Sequence, residues 1–236
     1  MAIAHIQGQH NGSAGAGDIT APSAGGTPVT SGNAVCGVVA WGTASNDLTS
    51  LVDDKLNTYN IIETINDAGN GTSLASFYLL NITNGPSRIT TVGLALDTFV
   101  QVVWDEYSGV ATSAALDGHH GLASSPGTGA DAVVSGTFST VADGDLIYSG
   151  AVEDSELFNG NFTQGTGFTK RTTDGTPGVD CVSEDLVQST HSASTQGTWT
   201  QAHADGVICV AFALKAAGGG APTVVPWPFM RGLRVH

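Results

Sequence analysis

The chain has 236 residues, enough for one sizeable core or two small ones. Seven basic against 21 acidic residues leave a formal charge of −14, and no basic run occurs, which excludes nucleic-acid binding through phosphate neutralisation. No stretch approaches the ~18 consecutive apolar residues of a transmembrane helix, and a hydrophobic content of 41% excludes a disordered chain.

Residues 1–32 are dominated by Gly, Ala, Ser and Pro, with one apolar patch from Ile3 to Ile6. They read either as a flexible arm or as an extended edge strand followed by a loop. Val35 to Trp41 is apolar at alternate and intervening positions alike, the pattern of a strand buried on both sides. Leu48 to Leu56 reads as a short strand or a few helical turns, and Tyr59 to Ile65 as a strand closed by an Asn/Asp/Gly turn. Leu74 to Ile82, Arg88 to Leu96 and Thr98 to Tyr107 follow as strands, the last of them central.

A long loop is predicted from Ser108 to Asp131. Further strands are predicted over Ala132–Val141, Leu146–Val152, Gly167–Thr172, Leu186–Thr190, Thr198–Gln201 and Val207–Leu214, the last again apolar on both faces. No segment keeps a 3.6-residue apolar period, and no repeat of fixed length is visible. The predicted fold is therefore all-β: a two-sheet antiparallel β-sandwich over 33–216, jelly-roll-like, between an N-terminal arm (1–32) and a Pro/aromatic C-terminal arm (217–236). Proline keeps the C-terminal arm out of helix and central strand. Its apolar and Arg side chains suit either folding back on the sandwich or docking on a neighbouring subunit. The partner-binding candidates are Trp227, Phe229, Met230, Arg231 and Arg234 there, with Ile3 and Ile6 at the other end.

Few residues point to chemistry. Cys36, Cys181 and Cys209 read as free thiols, with Cys36 and Cys209 in strands and Cys181 in a loop; a Cys36–Cys209 bridge requires neighbouring strands. His119 and His120 adjoin Asp117, but adjacent strand residues face opposite ways and do not chelate together. Asp53-Asp54, Asp105-Glu106 and Glu153-Asp154-Glu156 are the loop or strand carboxylates from which a Ca²⁺ site would be assembled; otherwise no cofactor is expected. Asp105 and Glu106 alternate faces, so Glu106 enters an apolar face unless it ends the strand. Nucleophile-elbow, zincin, phosphate-loop and dinucleotide motifs are all missing, and the chain is not expected to be an enzyme. Among the tryptophans, Trp41 and Trp104 read as core, and Trp199 is the candidate ligand contact.

The phrase Val103 to Val110 (VWDEYSGV), followed by Ala115-Leu116-Asp117-Gly118, resembles a pattern of bacterial and phage surface proteins of the "EYSG…LDG" type. Asp53 with Asn57-Thr58-Tyr59 is similar to their "D-x-x-G-N-T-Y" turn, with Leu56 in place of the usual Gly. Asp143-Gly144-Asp145-Leu146, Gly167-Phe168-Thr169 with Arg171, Ser183-Glu184-Asp185 and Ala211 to Lys215 continue the likeness, which spans about residues 33–216. It implies a jelly-roll or lectin-like sandwich module of surface and virion structural proteins, and no chemistry.

An extracellular style of composition behind an N-terminus with no signal-peptide pattern is what a virion component made in the host cytoplasm presents. The expectation is a phage virion structural protein, above all a capsid decoration (cement) protein. It would be homo-oligomeric and bind the major capsid protein or other virion subunits through its arms, without nucleic acid or membrane. The alternative is a carbohydrate-binding or adhesin module centred on Trp199.

Overall fold

The computed structural model describes residues 1–124, 131–153, 162–174, 180–202 and 206–218. Sixteen strands occupy them, and no helix. In chain order they are β1 (Ala4–Ser13), β2 (Thr20–Ala21), β3 (Ala34–Trp41), β4 (Ser50–Asp53), β5 (Asn60–Asp67), β6 (Thr72–Leu79), β7 (Ile89–Val92) and β8 (Val100–Ser108). The second eight are β9 (Leu116–Ser124), β10 (Asp131–Val134), β11 (Asp145–Glu153), β12 (Phe162–Gln164), β13 (Thr169–Asp174), β14 (Asp180–Gln188), β15 (Thr198–Gln201) and β16 (Val207–Leu214).

The first eight strands form a five-stranded sheet, β1-β8-β3-β6-β5, and a three-stranded one, β2-β7-β4. The second eight form β9-β16-β11-β14-β13 and β10-β15-β12. Each strand of the first half thus has a counterpart eight strands later in the same place. The last strand beside the first and the seventh beside the second is jelly-roll order. The chain is two tandem jelly rolls, so the expected sandwich is doubled: four sheets in four layers instead of two.

The register agrees in detail. Val38 pairs with Ser76 and Val103, and its counterpart Gly150 pairs with Ser183 and Val210. The β-bulges also recur: Ile6 in β1 and Asp117 in β9 are the extra residues at matching positions, and β5 and β13 are both irregular opposite the matched Ser76 and Ser183. Bulges re-aim side chains and are built features. No periodicity in residue type reveals this duplication, because the halves share pairing geometry and not side-chain chemistry.

The two large sheets pack face to face, β1 over β13 and β5 over β9, so the strand order reverses across the seam as a two-fold relation requires. This explains why β3, β8 and β16 are apolar on both faces. Cys36, Val38, Val103, Tyr107, Val210 and Phe212 fill the seam. Val35, Val39, Trp41, Val102 and Trp104 face the outer sheet of the first half. Val207 and Cys209 face the outer sheet of the second. Cys36 and Cys209 thus point into different cores, and all three cysteines are buried. Cys181 lies in β14 with its side chain in the seam, not in a loop.

The N-terminal stretch adopts the edge-strand alternative for Ala4–Ser13, which pair with β8. Residues 116–124 are a strand as well, inside the segment expected to be loop. All of residues 219–236 lie outside the described residues.

Candidate functional site

The polar chemistry of the seam gathers at its β1/β13 edge. On β8 the alternation sends Asp105 into the seam and Glu106 into the first jelly roll; neither has any exposed surface. Two adjacent buried carboxylates require donors on both sides of the strand, and β1 supplies them. Its bulge at Ile6 puts His5 opposite Tyr107 and Gly8 opposite Asp105, while Gln7 falls opposite Glu106. In a regular strand His5 and Gly8, three residues apart, would face opposite sides of the sheet; the bulge puts them on the same one.

His5 Nε2 lies 3.0 Å from Asp105 Oδ1, and the imidazole meets the Tyr107 ring edge-on at 5.4 Å. From the second half, Thr172 Oγ1 donates to Oδ1 at 2.7 Å, Ser183 Oγ to Oδ2 at 2.7 Å and Tyr148 OH to Oδ2 at 2.9 Å. Gly8 makes this approach possible: a Cβ there would stand 2.0 Å from Thr172 Oγ1 and 2.5 Å from Asp105 Oδ1. Glu106 accepts from Gln7 Nε2 at 2.6 Å, from the Thr30 amide at 2.8 Å and from Asn33 Nδ2 at 2.5 Å. The expectation that Glu106 meets an apolar face is corrected, since the loop at 30–33 and β1 enclose it in donors. Beside this network Arg171 Nε donates to Asp185 at 2.8 Å.

Burial, reinforced by the Asp105 charge, holds the Cys36 thiol and the Tyr107 and Tyr148 hydroxyls well above their ordinary ranges. At neutral pH all three are protonated, so Tyr148 stays a donor to Asp105. The arrangement fastens β1, β8, β11, β13 and β14 together through one carboxylate.

Two carboxyls of the second half are shifted upward. Glu184, buried beneath the outer sheet, is pushed to about 8 by burial, although it accepts the Gly165 amide at 2.9 Å. Asp145 is pushed to about 7 by burial and by the neighbouring Asp117 carboxylate. Asp117 in turn accepts the Val141 and Ala142 amides and pairs with Lys215 at 3.3 Å.

The residues singled out from sequence scatter. Ile3 is 8% exposed and packs into the seam, whereas Ile6, the bulged residue, is 48% exposed. Trp199 is corrected to a core residue at 2% exposure; it stacks edge-on with Phe162 and donates Nε1 to Ser149 Oγ at 3.1 Å, so its ring offers no face to a sugar. Trp41 and Trp104 are fully buried. Trp227, Phe229, Met230, Arg231 and Arg234 lie outside the described residues, as do Asp154 and Glu156.

His119 sits 3.4 Å from Glu63, and His120 Nδ1 lies 2.9 Å from the Ser135 carbonyl oxygen; the two do not converge. Asp53 is spent closing its own turn, accepting from Lys55, Asn57 and Tyr59. Among the described residues no three His, Cys, Asp or Glu side chains come together as metal ligands. Sequence reasoning missed His5, Gly8, Thr172 and Ser183. The signal available was the adjacent pair Asp105-Glu106 inside an apolar strand, which demands polar partners on both faces.

No protein-family model matches this chain, and no curated protein matches its sequence.

Proposed function

We propose that this protein is a structural subunit of a virus particle, of the capsid-decoration kind carried on phage heads. It would act by holding neighbouring subunits and not by transforming a small molecule. The observation that carries this reading is where the polar side chains of the seam are spent. Asp105 and Glu106 are saturated by donors from five separate parts of the chain, which makes a braced double scaffold and leaves edges and ends as the working surface. The acidic balance of 21 against seven basic residues keeps such a scaffold soluble and repels anionic surfaces. The Met1 amino group donates to the Ala217 carbonyl at 2.9 Å, so the start of the chain and Ala217 lie side by side. Attachment would run through Trp227, Phe229 and Arg231, and many copies would give avidity from weak single contacts.

The test is co-sedimentation. Particles from the source culture, banded on a density gradient and probed with an antibody to the purified protein, should carry it in stoichiometric amount. A chain lacking 219–236 should be depleted from the band. Protein found wholly in the soluble fraction would overturn the reading.

A further inference from the structure

We infer that β1 is an exchangeable strand: in the assembled state β1 of one copy takes its place against β8 of a second copy of this chain. This rests on the assembly reading above and adds the contact by which copies join.

Three observations carry it. First, β1 is held by portable interactions. It is an edge strand, bound to its own sheet on one side only, with a nine-pair backbone ladder to β8. From Ala4 to Ser13 it contributes no fully buried apolar side chain. Main-chain bonds of this kind form equally well in trans.

Second, the connector suits a swing. Ala14 to Asp18 (AGAGD) is mostly exposed and contains two glycines; its bonds to other segments lie at its far end, where the Gly17 amide donates to Asp97 and Asp18 accepts from the Leu94 amide and the Thr91 hydroxyl, so the pivot falls at Ala14–Ala16. Gly17 has φ +135°, a conformation favouring glycine, with nothing near its missing Cβ. Exchange of an identical element across such a hinge is a low-cost route between monomer and oligomer.

Third, the acceptor edge is keyed to this strand. A strand paired with β8 must supply a donor to Asp105, a donor to Glu106, no Cβ opposite Asp105, and a bulge that sets all three in phase. His5, bulged Ile6, Gln7 and Gly8 do so. An unrelated strand would leave each of two buried carboxylates one donor short and bring a Cβ against Thr172 Oγ1 and Asp105 Oδ1. The occupant that fits is therefore another copy's β1, and Asp105 and Glu106 act as the selectivity filter.

Ala4 is opposite Ser108 at the open end of the ladder, where neither is buried. Differently tagged Ala4→Cys and Ser108→Cys chains, mixed at high concentration, warmed and oxidised, should give a disulfide-linked heterodimer several-fold above either chain alone. Gly8→Val in the Ala4→Cys chain should abolish that excess. The double variant Ala4→Cys/Ser108→Cys, oxidised while dilute, should close within one chain and then fail to join particles until reduced. A mixture giving no heterodimer above background, while the dilute double variant closes fully, would overturn the exchange. So would a closed double variant that joins particles as well as wild type, an outcome that leaves the assembly reading standing. Absence of every variant and of wild type from particles would instead remove that reading.

Discussion

In the first jelly roll the space between the sheets is filled by Trp41, Leu51, Phe77, Leu94, Val102 and Trp104, one continuous apolar core. In the second the same space is divided. Val133, Phe162 and Trp199 make one small cluster and Phe138 and Ile147 another, with Glu184, Ser149 and Gln201 buried among them. The seam is divided in the same manner. Asp105 and Phe212 occupy equivalent positions on β8 and β16, one hydrogen-bonded by four side chains, the other packed against Tyr148 at 5.3 Å and Tyr78 at 6.5 Å. A duplicated frame determines where side chains point and leaves each copy free in what it puts there. Polar specificity collects in one copy of a position while its twin carries the apolar load.

Exchanging those twins should break the molecule most severely. Phe212→Asp places an unpaired carboxylate among aromatic rings and removes a buried ring. The expected loss exceeds ~4 kcal/mol, and circular dichroism should show a chain unfolded at 25 °C. Asp105→Ala keeps the apolar side of the seam but strands the Tyr148, Thr172 and Ser183 hydroxyls. Urea denaturation should report a loss of ~3–5 kcal/mol, and Asp105→Asn, which retains an acceptor, a smaller one.

The pH response sharpens the comparison between the halves. Glu184 and Asp145 of the second half hold their protons to about 8 and about 7 when folded, and lose them at ordinary carboxyl values when unfolded. The native state therefore binds more protons between those limits, and stability falls as pH rises through that window. It is fully present only below about pH 4. The melting temperature should fall from pH 5 to pH 9. Glu184→Gln, which keeps an acceptor for the Gly165 amide, should flatten that fall and leave the value at pH 4 nearly unchanged. An unaltered slope in this variant would remove Glu184 from the account.

Much of the frame was legible in the chain. VCGVVAW and VICVAFAL are apolar at every other position and between, and both prove to be central strands covered on two sides. What stayed hidden has physical reasons. LDGHHGLAS alternates poorly because β9 is an edge held by pairing with β16, and its Asp117 is a bulge. DCVSED reads as a loop because its carboxylates are buried by partners distant in sequence, Gly165 for Glu184 and Arg171 for Asp185. The duplication escaped because matched positions share geometry alone: Cys36 with Tyr148, Asp105 with Phe212, Val38 with Gly150. For the same reason Trp199 read as a ligand contact, since its threonine neighbours conceal that β15 is a covering layer over the second core.

The face-to-face packing of the two jelly rolls is tested most directly where the equivalent residues Val38 and Gly150 meet. A Cβ added at Gly150 would lie 2.5 Å from Val38 Cγ1, so one twin must be small because the other is not. Gly150→Ala should therefore destabilise the protein by ~1–3 kcal/mol, and in a Val38→Ala background, which removes both γ-methyls and leaves the Cβ at 3.2 Å, that penalty should shrink markedly, a coupling readable in a double-mutant cycle of urea unfolding. If Gly150→Ala instead stabilises by the ~0.5–1 kcal/mol usual for such a replacement in a strand, with no dependence on residue 38, the two sheets do not face each other there.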